Sequence, residues 1–122
     1  MTVLIDSYGW FEYFFGTKKG AKVRRLLESG ERVLISQVNL FEVYTKYLKS
    51  ASDEAEDKKN FLLARCELID VDRQTTLDAS KIKASHGFGL ADAIILATAR
   101  KHKCKIITGD KHFTKFSEAQ ML

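Results

Sequence analysis

A chain of 122 residues, 45% hydrophobic and 30% charged, has room for one domain (1–122) around one core and needs no disulfide or structural metal to fold. Its formal charge of +4 and pI near 9.1 admit a nucleic-acid partner without requiring one, because the cations are scattered apart from small knots at Lys22, Arg24, Arg25 and at Arg100, Lys101, Lys103, Lys105. Cys66 and Cys104 are single and far apart, which excludes a zinc ribbon or a disulfide framework, and no segment approaches the ~20 apolar residues of a membrane span. The expectation is a soluble cytoplasmic protein with reduced core thiols.

In chain order, "TVLI" (Thr2 to Ile5) is a first strand, followed by helices over "SYGWFEYFF" and "KKGAKVRRLLES". "RVLIS" (Arg32 to Ser36) is a second strand, and "QVNLFEVYTKYLKS" and "DEAEDKKNFLLARC" are the next helices. "ELIDV" (Glu67 to Val71) forms a third strand, "QTTLDASKIKAS" and "LADAIILATARKH" two more helices, and "KIIT" (Lys105 to Thr108) a fourth strand. Gly30 and Gly87 fall where helices should stop. Strands that read as continuous apolar runs separated by helices belong in a parallel sheet covered on both faces. The predicted fold is therefore α/β, three layers around a parallel sheet of four or five strands.

Open parallel sheets bind ligands beyond the carboxyl ends of their strands. Asp6 follows the first strand and Asp110 the fourth, while Asp92 sits in the first turn of a nearly all-apolar helix, "GLADAIILATA", that must be buried. A right-handed crossover starts that helix at the same sheet edge. Each acid alone reads as a helix cap or a turn residue. Three together repel and raise one another's pKa values unless a cation lies between them, and oxygen donors favour a hard ion, Mg²⁺ or Mn²⁺. Periodicity puts Glu42 on the solvated side of its helix, opposite Leu40, Phe41, Tyr44, Tyr47 and Leu48. His86, His102 and His112 lack metal-ligand spacing and read as surface or packing residues.

"VLIDS", "NLFEVY", "GLADAIILATA" and "IITGDKHF", in this order, resemble the four acidic motifs of PIN-domain nucleases, particularly toxins of the VapC type. The resemblance spans most of the chain. It implies a metal site made of Asp6, Glu42, Asp92 and Asp110, overriding the face argument for Glu42, with Thr108 as a supporting hydroxyl. Two departures stand out: Asn39 occupies a place often held by Thr or Ser, and "SEAQML" leaves only Ala119 to Leu122 for a fifth, edge strand.

The implied activity is Mg²⁺- or Mn²⁺-dependent hydrolysis of RNA to 5′-phosphate and 3′-hydroxyl ends. Lys111 and Lys115 beside the site, with Arg24 and Arg25, are candidate phosphate contacts. The run Tyr8, Trp10, Phe11, Tyr13, Phe14, Phe15 serves core packing, base stacking or a partner surface. VapC-type proteins dimerise and are held by an antitoxin, so the resemblance implies a homodimer and an antitoxin partner. The alternatives are a housekeeping RNA-processing PIN protein or a catalytically silent RNA-binding module. A phospho-receiver is disfavoured because Ile5 and Ser7, rather than a second acid, flank Asp6, and "GFG" lacks the strand and third glycine of a dinucleotide site.

Overall fold

In the computed structural model, which describes residues 1–122, five strands form one sheet: β1 (Thr2–Ile5), β2 (Arg32–Ser36), β3 (Glu67–Ile69), β4 (Lys105–Thr108) and β5 (Ala119–Met121). Their order is β3-β2-β1-β4-β5, and every neighbouring pair is parallel. The helices are α1 (Ser7–Phe15), α2 (Lys18–Glu28), α3 (Gln37–Ser50), α4 (Ser52–Arg65), α5 (Arg73–His86) and α6 (Leu90–His102). A short 3₁₀ turn spans Lys111–Phe113.

Side chains alternate across a strand, so the apolar runs must feed two cores. They do: Leu4, Leu34 and Ile106 pack with Leu96 and Ile82 under α5 and α6, whereas Val3, Ile5, Val33, Ile35 and Ile107 pack with Trp10, Val43, Tyr47 and Leu62 under α1, α3 and α4. Val3, Leu4 and Ile5 are fully buried, as a central strand requires. Cys66 and Cys104 are free and buried, and burial pushes the Cys66 thiol up to about 12. No helix is long and apolar enough to cross a membrane.

The aromatic run is mostly interior packing. Trp10 is fully buried, Tyr13 stacks on Phe61 of α4 at a ring-centroid distance of 5.8 Å and Phe14 meets the same ring edge-on at 5.9 Å, leaving Tyr8 and Phe15 exposed. β3 ends at Ile69, two residues short of the predicted strand, because it lies at the sheet edge and Asp72 begins the N-cap of α5.

The chain leaves β1 toward β2 and β3, then returns to β4 on the other side of β1. The strand order reverses between β1 and β4, and a crevice opens at their carboxyl ends, where ligands bind in such sheets.

Candidate metal centre

Asp6 is the first residue off β1 and its side chain caps α1, accepting a hydrogen bond from Gly9 N at 2.9 Å through Oδ1. Its Oδ2 accepts from the Thr108 hydroxyl of β4 at 2.5 Å. Gly9 lets α1 come this close: a Cβ there would stand 2.7 Å from Ile5 Cγ2 and 3.4 Å from Ile107 O. Thr108 is fully buried, and its oxygen also accepts from Asp110 N at 2.9 Å. One hydroxyl thus ties the ends of β1 and β4 together and orients two acids.

Asp6 is only 4% exposed. Burial, the largest cause, with the negative charges of Asp110 and Asp92, raises its pKa from 3.8 to about 6 against the opposing bonds from Thr108 and Gly9. Asp92, in the first turn of α6, is also raised, by burial and then by Asp110, with Glu42 adding to the shift and His112 opposing it. All four predicted acids therefore belong to one electrostatic neighbourhood.

Glu42 corrects the face argument. The buried side of α3 runs through Asn39, Val43 and Tyr47, while Phe41 is 71% and Leu48 47% exposed. Glu42 lies one turn from Asn39 and is half-buried, accepting from the Ser7 hydroxyl at 2.6 Å through Oε1. Asn39 Nδ2 in turn donates to Ser7 Oγ at 3.1 Å. A buried asparagine marks the inward face here, which apolar periodicity alone reads wrongly. The amide does the positioning expected of a hydroxyl, acting on Glu42 through Ser7.

His112 is the residue that sequence reasoning missed. It is exposed, but the 3₁₀ turn after Asp110 brings its Nδ1 within 3.2 Å of Asp110 Oδ1 and 3.5 Å of Asp92 Oδ2, so it is neither bare surface nor packing. Its own N–H donates to Asp110 Oδ1 at 2.9 Å. The signal was its place two residues after an acid at a strand end. Of the basic residues considered for RNA, Lys111 opens this turn and Lys115 follows it, whereas Arg24 is paired with Glu28 at 3.1 Å and Arg25 lines a groove with Ile107 and Leu122 beside β5.

The donor set fits a divalent ion. Donor atoms of Asp92, Asp110 and His112 all lie within 4.8 Å of one another, and the ion pairs at this edge involve His112 alone, with no lysine or arginine neutralising the acids. Carboxylate oxygens with one imidazole suit Mg²⁺ or Mn²⁺, the nitrogen inclining the site toward Mn²⁺.

The family model for the PIN domain matches residues 3–119. This chain belongs to the PIN-domain family. Its fold matches a toxin-antitoxin complex from Klebsiella pneumoniae (TM-score 0.82, 23% identity, 98% of this chain and 96% of that one). It also matches DNA-bound VapBC from Salmonella typhimurium (TM-score 0.80, 18% identity, 100% and 97%). A third match is a sarcin-ricin-loop-cleaving VapC toxin of Mycobacterium tuberculosis (TM-score 0.78, 18% identity, 94% and 95%). No curated protein sequence matches. As a PIN domain, the chain has a five-stranded parallel sheet between helical layers, with its acids at the β1/β4 switch point.

Proposed function

We propose that this PIN domain is a Mg²⁺- or Mn²⁺-dependent endoribonuclease, the cytoplasmic toxin of a toxin-antitoxin pair. The observation that carries the reading is the convergence of Asp6, Asp92 and Asp110 on one crevice, where burial first and then the neighbouring carboxylates raise two of the three. That repulsion is useful only when a cation lies among them. Asp6, Glu42, Asp92 and Asp110 would hold the ion, with His112 at its rim. A bound divalent ion lowers the pKa of water and neutralises charge on a scissile phosphate.

The remaining chemistry belongs to the chain. Thr108 fixes the Asp6 carboxylate through its hydroxyl and holds the Asp110 amide, so both acids are preorganised. Ser7 and Asn39 set the Glu42 carboxylate. Lys111 and Lys115 offer charge to the RNA backbone on the exposed side of the same turn, and Arg24 and Arg25 are secondary contacts on α2. The toxin-antitoxin and VapBC assemblies among the structural neighbours support an antitoxin partner. Exposed Phe15, Phe41 and Leu48 support a homodimer.

Cleavage of single-stranded RNA tests the reading. Purified protein should cut with Mg²⁺ or Mn²⁺, leave 5′-phosphate and 3′-hydroxyl ends, and stop in EDTA. Asp92→Asn should abolish the activity while leaving the fold intact. Cleavage undiminished by that substitution would refute the assignment, and RNA binding without cleavage under any metal would leave a silent binding module.

A further inference from the structure

Next to the acids lies a cleft of about 400 Å³, walled by the segment after α5 (His86, Phe88, Gly89) and by the turn after β4 (Lys111, His112, Lys115). We propose that this cleft is an RNA phosphate subsite that holds the phosphodiester neighbouring the one to be cut. The inference rests on the nuclease reading and adds to it a place for the strand.

Charge is the first argument. No carboxylate lines the cleft, and its polar side chains are two lysines, two histidines and Thr114. Lys111 and Lys115 make no ion pair, in contrast with Lys58, Lys59, Arg100 and Lys101, which are each paired with an acid. A cationic cleft beside an acidic pair divides the work that a cut strand requires: cations for the flanking phosphate, acids for the ion at the reacting one.

Continuity is the second. His112 lines the cleft and also stands 3.2 Å from Asp110 Oδ1, so the two sites share a wall one side chain thick. A strand with one phosphate at the acids meets the cleft with its next.

The walls are also built rather than loose. Phe88 packs on Phe113 and Phe116 at ring centroids of 5.6 and 5.0 Å, His86 rests edge-on against Phe116 at 5.3 Å, and Lys83 Nζ donates to Phe88 O at 2.7 Å. Lys115 Nζ lies 5.6 Å from the centre of the Phe116 ring.

Gly89 supplies the fourth argument. It is the N-cap of α6, makes no side-chain cap, and lines the cleft at the positive end of that helix's dipole. A Cβ added there meets nothing within 4 Å, and φ −65°, ψ 162° suit any residue. The fold does not need glycine at this place, and the bare backbone leaves room for a phosphate to approach.

The test uses the Asp92→Asn protein, so that RNA stays intact, and fluorescence anisotropy of a short single-stranded RNA with Mg²⁺ over a series of KCl concentrations. Lys111→Gln with Lys115→Gln should raise Kd several-fold and flatten the slope of log K against log salt by about 0.7, the value for one lost phosphate on a single strand. Gly89→Asp should weaken binding comparably while holding or raising the melting temperature, because aspartate caps a helix well. Lys49→Gln with Lys81→Gln, exposed lysines of α3 and α5, should change neither quantity. Unchanged affinity and slope in both cleft variants would overturn the subsite and leave the nuclease reading standing. A protein that neither binds nor cuts RNA would overturn both. RNAs trimmed from either end then show whether the held phosphate lies 5′ or 3′ of the cut.

Discussion

The Thr108 hydroxyl donates to Asp6 Oδ2 at 2.5 Å across 102 positions of sequence while accepting from Asp110 N at 2.9 Å. It is fully buried and serves both acids at once. Thr108→Val keeps the shape and removes the oxygen, leaving the Asp110 amide and a carboxylate oxygen short of a partner. The expected cost is about 2 kcal/mol or more, since each orphaned buried group costs about 1–3 kcal/mol. The loss should be larger at pH 8 than at pH 4, because a bond to an ionised carboxylate is the stronger one. Thr108→Ser should recover most of it. Chemical denaturation at the two pH values measures the difference, and a pH-independent loss would mean that the hydroxyl serves packing alone.

Much of this site was legible because strand ends are legible. "TVLI" and "KIIT" are apolar, β-branched-rich runs with sharp bounds, and the one or two residues after each must emerge at the sheet edge, so Asp6 and Asp110 could be placed without coordinates. Asp92 followed from a helix too apolar to be exposed. Two things were not legible. The inward face of α3 is marked by Asn39, whose burial depends on a tertiary bond to Ser7, and polar residues carry no sign of such partners in the sequence. His112 reaches Asp92 across 20 positions only because Lys111–Phe113 turns as a 3₁₀ segment, a local geometry that no apolar period announces.

Gly109 and Tyr8 form a second coupled pair at the same edge. A Cβ at Gly109 would lie 2.2 Å from Tyr8 Cε1, so the Tyr8 ring of α1 occupies the space beside the backbone after β4. Gly109→Ala should push the ring out and cost about 1–2 kcal/mol by overpacking. In the Tyr8→Ala background the same change should cost less. A double-mutant cycle by thermal denaturation reads the coupling, and strictly additive losses would show that the contact is not what requires the glycine.

Self-association should use the apolar surface that the aromatic run leaves outside the core. Phe15 is 58% and Phe41 71% exposed, on α1 and α3, and Lys46 lies 5.9 Å from the Phe15 ring centre. A two-fold interface is the common solution for such a patch. Light scattering should give a dimer at micromolar concentration, and Phe41→Glu should shift it toward monomer. A wild type that scatters as monomer throughout would remove the homodimer from the proposal.

The last prediction separates a metal site from a set of helix caps. Burial, Asp110 and Asp92 raise Asp6 from 3.8 to about 6, so the unfolded chain gives up this proton more readily than the folded one. Ionisation of Asp6 therefore costs the folded protein stability. The cost is absent below pH 4, grows as pH climbs past the unfolded pKa, and is complete above about 6, where it amounts to about 3 kcal/mol in metal-free protein. Asp6→Asn removes the charge, keeps an oxygen for the Gly9 amide, and places an N–H toward Thr108 Oγ1. In EDTA, the variant should match the wild type near pH 4 and become the more stable of the two by pH 8. Mn²⁺ should then reverse the order. An ion among four carboxylates stabilises the wild type in proportion to RT ln(1 + [M]/Kd), whereas the variant, one ligand short, binds more weakly and gains less. If Asp6 were only the cap of α1, burial would still separate the two curves with pH in EDTA, but asparagine would cap as well and added Mn²⁺ would shift both proteins equally. Melting temperatures of the two proteins across pH 4 to 8, in EDTA and in Mn²⁺, decide between the cases.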